Sequence, residues 1–166
     1  MRHGPVPLHS WTMWPFTRRF GPITDMPEER WDVAVSEYDG QPLYLRINSW
    51  AWRIRGHPDY DWRLGIAAPI PPGAHLPSVN EPDSPYCKLE TYASTILQRN
   101  FESIHLLVLT APTFRELVFH TRDVESARHK LEAICREFKE IEAATVTEHD
   151  PKWACYTRFC GGRKTS

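Results

Sequence analysis

One short segment of the chain carries three side chains that could bind a metal ion. His57, Asp59 and Asp61 occur at every second position, and in an extended strand this spacing places all three on one face. Imidazole and carboxylate ligands suit zinc or a harder divalent cation, so a metal-dependent enzyme that also uses His75 is one hypothesis. The interpretation we favour is a polar turn leading into a strand, and we assign no metal ligand.

Other ionisable residues fall on neighbouring predicted strands. His105 and His120 could face each other and sense pH or bind a metal, although partly exposed sheet residues are the simpler interpretation. Arg115 and Glu116 point to opposite faces of one strand. A buried arginine needs a carboxylate partner, and Glu90 on the first predicted helix is the candidate for Arg115. Such a pair would be structural.

The highest concentration of side chains suited to binding lies between residues 46 and 63, where arginine is interleaved with aromatic residues. Six of these side chains are predicted to contact a partner: Arg46, Trp50, Trp52, Arg53, Arg55 and Tyr60. Tryptophan, tyrosine and arginine are enriched among the residues that stabilise protein interfaces. Aromatic planes beside cations also suit single-stranded nucleic acid, but Asp59 and Asp61 dilute the local charge. A third interpretation is a strand edge whose tryptophan rings fill the core beneath arginine stems.

Several motifs that identify enzymes are missing from the sequence. It contains no G-x-S-x-G elbow, no phosphate-binding glycine loop and no H-E-x-x-H pair. We therefore assign no catalytic residue and expect no cofactor. The formal net charge of −1 also argues against a dedicated nucleic-acid binder, which usually has a basic excess.

Hydrophobic periodicity predicts the elements that position these residues. Two segments of period two flank Asp39-Gly40 and predict a β-hairpin. The next elements are predicted in the order strand, helix, strand, strand, helix, strand, at about residues 62–68, 86–97, 104–110, 115–120, 124–138 and 144–148. These six form the split β-α-β repeat of a ferredoxin-like fold. The expected class is α+β, with two helices on one face of an antiparallel sheet that the N-terminal hairpin extends.

Proline and tryptophan are distributed unevenly. Thirteen of the 15 prolines lie in residues 1–85 and six of the seven tryptophans in residues 11–62. Because proline forbids a long helix, we predict an irregular arm over residues 1–30 that packs on its own domain, a single domain over 31–160 and a flexible tail over 161–166. No apolar run approaches the roughly 20 residues of a membrane span, and no C-x-x-C pair occurs. We expect a cytoplasmic, reduced protein with no membrane partner.

Several segments together resemble a bacterial family called domain of unknown function 695. The resemblance covers about residues 31–159 and rests on the hairpin with Trp31 and Arg46, the Leu89-Glu90 helix, the Arg115-Glu116 strand and the ending Asp150-Pro151-x-Trp153-x-x-Tyr156. At fold level the family is similar to the regulator of ribonuclease activity B, a ferredoxin-like protein that inhibits an endoribonuclease by binding it. The resemblance implies no catalytic residues. We expect the Asp150–Tyr156 ending to be structural and to lock the C-terminal end onto the sheet.

These observations favour a non-enzymatic module that binds another protein and inhibits or regulates it. An immunity protein that neutralises a bacterial toxin or nuclease would fit this size and composition. The alternatives are an RNA-binding regulator that uses residues 46–63 and a metal-dependent enzyme that acts on a small molecule.

Overall fold

The computed structural model describes residues 20–24, 29–77 and 81–160 of the 166-residue chain. Within these residues the chain forms the strands β1 (Trp31–Tyr38), β2 (Gln41–Asn48), β3 (Trp62–Pro69), β4 (Ser103–Ala111), β5 (Phe114–Thr121) and β6 (Ala144–His149). The α-helices are α1 (Pro85–Leu97), α2 (Val124–Glu137) and α3 (Ala154–Cys160). A 3₁₀ segment, Ser49–Ile54, follows β2.

The six described strands form one antiparallel sheet in the order β1-β2-β4-β5-β3-β6. β1 and β2 are the predicted hairpin, and Tyr38 pairs with Gln41 across its two-residue turn. Both turn residues have positive φ, +50° at Asp39 and +71° at Gly40, as a type I′ turn requires. The predicted α+β class, with an antiparallel sheet that the hairpin extends, is therefore confirmed.

Helices α1 and α2 pack together on one face of the sheet, which we call the helix face. Their fully buried residues are Leu89, Ala93 and Leu97 on α1 and Ala127, Leu131 and Ile134 on α2. The Asp123 side chain accepts a hydrogen bond from the Ser126 amide at 3.0 Å and is the N-cap of α2. No helix among the described residues is long and apolar enough to cross a membrane.

The opposite face of the sheet is covered by the 3₁₀ segment and α3, two elements that the periodicity does not predict. Residues 46–63 are therefore not one strand edge, because β2 ends at Asn48 and β3 begins only at Trp62. Strand β4 lies between the two layers, and all nine of its residues are buried. The strand predicted at about 104–110 is therefore confirmed, and it is buried on both faces.

The Asp150–Tyr156 ending fastens α3 to the sheet. The Asp150 side chain accepts a hydrogen bond from the first amide of α3 at 2.9 Å. Trp153 is fully buried, and its Nε1 donates to the Tyr60 carbonyl at 2.9 Å. The Tyr156 hydroxyl donates to the backbone carbonyl at the end of β2 at 2.6 Å. The predicted structural role of this motif is confirmed.

A short part of the predicted arm is described, and it packs on the domain that follows. His57 Nε2 donates to the Gly21 carbonyl at 3.0 Å, and Ile23 packs against the core of the opposite face. The division of the chain at residues 30 and 160 stays a prediction. The rest of the arm and the tail lie outside the described residues, at 1–19, 25–28 and 161–166.

Trp153→Ala is expected to lower the free energy of unfolding by about 3–5 kcal/mol, because it leaves a large cavity in the core. Tyr156→Phe is expected to cost about 1 kcal/mol through the lost hydrogen bond. Both values are measured by urea denaturation. The control is Lys152→Ala at an exposed neighbouring position, which should change stability by less than about 0.5 kcal/mol. A Trp153→Ala protein as stable as the control would contradict the anchoring role.

Candidate functional site

The six residues predicted to contact a partner do not form one surface. Arg46 lies on the helix face, where its Nη1 donates to Glu90 on α1 at 2.7 Å. The residues in or beside the 3₁₀ segment lie on the opposite face: Trp50, Trp52, Arg53 and Arg55. The sheet thus separates Arg46 from the other candidates.

The patch on the 3₁₀ segment is a cation stacked on an aromatic ring. The Arg55 guanidinium lies 3.7 Å from the centroid of the Trp52 ring, and its Nη1 donates to the Trp52 carbonyl at 2.9 Å. Trp50 and Trp52 are half-buried against the core, whereas Arg53 is exposed. Because Arg55 covers one side of the Trp52 ring and the core supports it, little aromatic plane is left for a nucleic-acid base.

Tyr60 belongs to the core and not to the surface. Its side chain is buried, and its hydroxyl donates to the Phe101 carbonyl. Burial raises the pKa of Tyr60 above its usual value, against an opposing effect of Arg122. The segment before β3 turns back on itself at His57, whose carbonyl accepts a hydrogen bond from the Tyr60 amide at 3.0 Å, and this turn directs the ring inward. Contact between Tyr60 and a partner would require the ring to leave the core.

The histidines and aspartates considered as metal ligands do not converge on one point. His57 Nδ1 accepts a hydrogen bond from the Asp59 amide at 3.1 Å, and Asp61 Oδ2 lies 3.0 Å from His149 Nε2. His75 pairs with an exposed glutamate. Among the described residues, no group of three or more His, Cys, Asp or Glu side chains is arranged to hold a metal ion. The geometric basis of the metal-enzyme hypothesis is therefore wrong.

His105 and His120 lie on opposite faces of the sheet and do not face each other. His105 stacks on Phe119 on the helix face, with ring centroids 4.2 Å apart, and burial lowers its pKa to about 4. His120 packs against Trp153 on the opposite face. Burial also lowers the pKa of His120, although the Tyr60 carbonyl and a nearby aspartate act against this effect. Both imidazoles are therefore uncharged at pH 7 and form part of the core.

Glu90 on α1 holds two arginines of the sheet at once. Its Oε1 accepts from Arg46 at 2.7 Å and its Oε2 from Arg115 at 2.5 Å, so the predicted partner of Arg115 is confirmed. Burial acts to raise the pKa of Glu90, but Arg46, His105 and Arg115 together lower it below its usual value. We call Arg46, Glu90 and Arg115 the ion cluster.

Beside the ion cluster, the helix face of β1 and β2 is uncovered. Val33, Val35 and Tyr44 are 75%, 66% and 43% exposed, and Val35 pairs directly with Tyr44 in the hairpin. We call these three residues the hairpin strip. The strip adjoins a groove of about 310 Å³ whose lining includes Val33, Tyr44, Arg46, Leu76, Val108 and Arg115. The residue pattern of β1 contains the valines, but their exposure follows only from the strand order, so the sequence does not predict the strip.

A larger cleft, of about 520 Å³, lies between α3 and the sheet. Arg63 on its wall pairs with Glu116 at 2.6 Å and with Glu148 at 3.3 Å. The Glu116 carboxylate occupies the space above Gly65, where an added Cβ would approach it to 2.8 Å. Burial raises the pKa of the Cys155 thiol, whereas a nucleophilic cysteine needs a lowered one. Arg63, Glu116 and Glu148 are thus paired with one another, and the cleft thiol is not activated.

Glu90→Gln is expected to lower the free energy of unfolding by about 3 kcal/mol, because it leaves buried Arg115 without a charged partner. The matched control is Glu125→Gln, which breaks an exposed pair with Arg128 and should cost less than about 0.5 kcal/mol. Urea denaturation at pH 7 measures both. Equal effects of the two substitutions would mean that the ion cluster does not hold α1 on the sheet.

Stability is expected to decline as the pH falls from about 6.5 to 4. The folded pKa of His105 lies below the unfolded value of 6.5, so the unfolded chain takes up the proton first in this window. A histidine whose pKa is lowered on folding contributes at most about 1.4 kcal/mol per pH unit to the slope of stability against pH. His105→Gln should reduce the slope by this share, whereas exposed His75→Gln should not. Unfolding at three pH values measures the slope, and an unchanged slope in His105→Gln would contradict the assignment.

Comparison with known proteins gives a family for the chain. A family model described as a family of unknown function (DUF695) matches residues 29–160. No curated protein and no solved structure matches. The matched residues extend from just before β1 to the end of α3, and they include the hairpin strip, the ion cluster and the Asp150–Tyr156 ending. The chain therefore belongs to the DUF695 family.

Proposed function

We propose that this protein is a non-enzymatic binding module that inhibits or regulates another protein. The observation that supports this function is the hairpin strip, an apolar surface on β1 and β2 that α1 and α2 leave uncovered. Covering apolar surface is favourable by about 25 cal/mol per Å², and exposed apolar patches mark sites of protein contact. A partner that covers Val33 and Val35 would gain this energy.

The composition of β1 supports the same conclusion. Edge strands that must stay alone in water are usually protected by lysine, proline or a β-bulge. β1 contains no lysine, arginine or proline, and its charged residues are Asp32 and Glu37; it pairs with β2 over eight residues without a register shift. The exposed valines of this edge strand are costly to leave in water, and protein binding removes that cost.

The fold-level similarity of the family to a known inhibitor suggests the class of partner. The order strand-helix-strand-strand-helix-strand from β3 to β6 supports a ferredoxin-like arrangement. The regulator of ribonuclease activity B, which the family resembles at fold level, inhibits an endoribonuclease. We therefore propose a nuclease or another toxin as the partner, and this chain as its inhibitor or immunity protein. Because fold does not determine function, this part of the proposal depends on identifying the partner directly.

The cytoplasm is the location that we propose for this activity. No disulfide joins the four cysteines, all of which lie in the described part of the chain, and this is typical of proteins in a reducing compartment. The absence of a catalytic role is supported by the cleft beside α3, where Arg63 and Glu116 neutralise each other and Cys155 is not activated.

The proposal is tested by site-specific photo-crosslinking in the organism that encodes the chain. A photoreactive residue at Val35 is expected to give one adduct of defined mass. The matched control is the same residue at Val146, which is 46% exposed on the opposite edge strand, and it should not give that adduct. The captured protein is then purified, and its own activity is measured with and without stoichiometric amounts of this chain.

Val35→Asp is expected to weaken binding of the purified partner at least tenfold, about 1.4 kcal/mol, because it places a charge in an apolar contact. Val146→Asp should leave the affinity within about twofold. Calorimetry measures both. The same adduct from both positions, or a bound partner whose activity does not change, would contradict the proposed function.

A further inference from the structure

We propose that the groove beside the hairpin strip recognises an extended protein segment in which a carboxylate side chain is flanked by apolar residues, and that Arg46 receives the carboxylate. This inference rests on the proposed function and names the chemistry of the partner. Its evidence is an excess of positive charge, its accessibility and the apolar surface around it.

The ion cluster contains two guanidinium groups and one carboxylate. Each oxygen of Glu90 is used by one arginine, and no other carboxylate among the described residues forms a salt bridge with Arg46 or Arg115. The Arg115 side chain is only 4% exposed, and its buried Nε has no hydrogen-bond partner. One positive charge thus remains uncompensated at the groove, where the local dielectric strengthens its attraction for an anion.

Arg46 is the member of the cluster that a partner can reach. Its side chain is 23% exposed, and its guanidinium lies 4.8 Å from the centroid of the Trp31 ring. The ring and Glu90 hold the group in place, so little side-chain entropy would be lost when a carboxylate binds. An arginine that is already ordered and only partly neutralised is well suited to such a contact.

The surroundings of Arg46 require apolar neighbours in the ligand. Arg46 pairs across the hairpin with Val33, and the groove continues over Leu76 and Val108. A carboxylate placed on Arg46 therefore has apolar protein surface on both sides. A segment that alternates apolar and acidic side chains would cover the strip and neutralise the arginine at the same time.

The positive charge of the ion cluster argues against two other occupants of the groove, residues 1–19 of this chain and a second copy of the chain. Residues 1–19 of this chain contain no aspartate or glutamate, so they cannot supply the carboxylate. A second copy that used the same strip in a symmetric dimer would bring two positively charged ion clusters together, which like-charge repulsion disfavours. A partner protein with an acidic segment is the occupant that satisfies both the charge and the apolar surface.

A pair of blocked peptides tests this inference on the full chain. The probes are acetyl-Thr-Val-Glu-Val-Thr-Tyr-amide and the analogue with glutamine in place of glutamate. Binding is followed by NMR chemical-shift changes at Val33 and Val108 during titration to about 5 mM, a range that detects weak complexes. The glutamate peptide is expected to bind at least tenfold tighter than the glutamine peptide, and this preference should weaken as salt is added.

Arg46→Gln should abolish the preference for glutamate, and Arg46→Lys should restore part of it. Arg53→Gln, at an exposed arginine on the opposite face, should leave it unchanged. Arg46→Gln keeps the pair between Glu90 and Arg115, and its spectrum and urea midpoint verify that it is folded.

Equal binding of the two peptides, or no shift changes in the groove, would overturn the inference. Self-association that is lost in both Val35→Asp and Val146→Asp would also overturn it, because a second copy would then cover the hairpin strip with its own β6. If crosslinking at Val35 identifies a regulated partner but the peptides bind equally, only this inference fails. If the glutamate peptide binds through Arg46 but crosslinking captures no partner, only the proposed function fails.

Discussion

The carboxylate of Glu90 determines how helix α1 lies on the sheet. It reaches Arg46 on β2 and Arg115 on β5, the strands on either side of β4, so the helix must cross above β4. A helix held there cannot also cover β1, which is two strands away from that line. The contact that anchors α1 therefore leaves the hairpin strip open and places a partly neutralised arginine beside it, so the surface that we propose for recognition follows from the contact that stabilises the helix.

The packing of the opposite face depends on an uncharged group, the backbone carbonyl of Tyr60. It accepts hydrogen bonds from Trp153 Nε1 and His120 Nδ1, each at 2.9 Å, and so joins the turn before β3, strand β5 and the C-terminal ending. This neutral contact suits a layer that is buried, because an unpaired charge there would be costly. The two layers meet at β4, whose complete burial makes it the common core of both.

Features with a local cause could be predicted from the sequence, whereas those that depend on long-range pairing could not. Asp39-Gly40 specifies its turn, and a buried Arg115 requires a nearby acid such as Glu90. The exposure of Val33 depends on β2 pairing with β4, about 60 residues later in the chain. Residues 49–54 leave the strand without a local signal, so Tyr60 resembles a surface residue in the sequence although the fold places it inside.

The close approach of Glu116 to Gly65 has a consequence for how this sequence can diverge. Any side chain at position 65 would enter the space of the Glu116 carboxylate, and it would move that group away from Arg63. Because the contact is with the end of a flexible side chain, that side chain can shift, and a substitution at position 65 would then alter the ion pair that lines the cleft. Positions 65 and 116 are therefore coupled, and the effect of a substitution at one depends on the residue at the other.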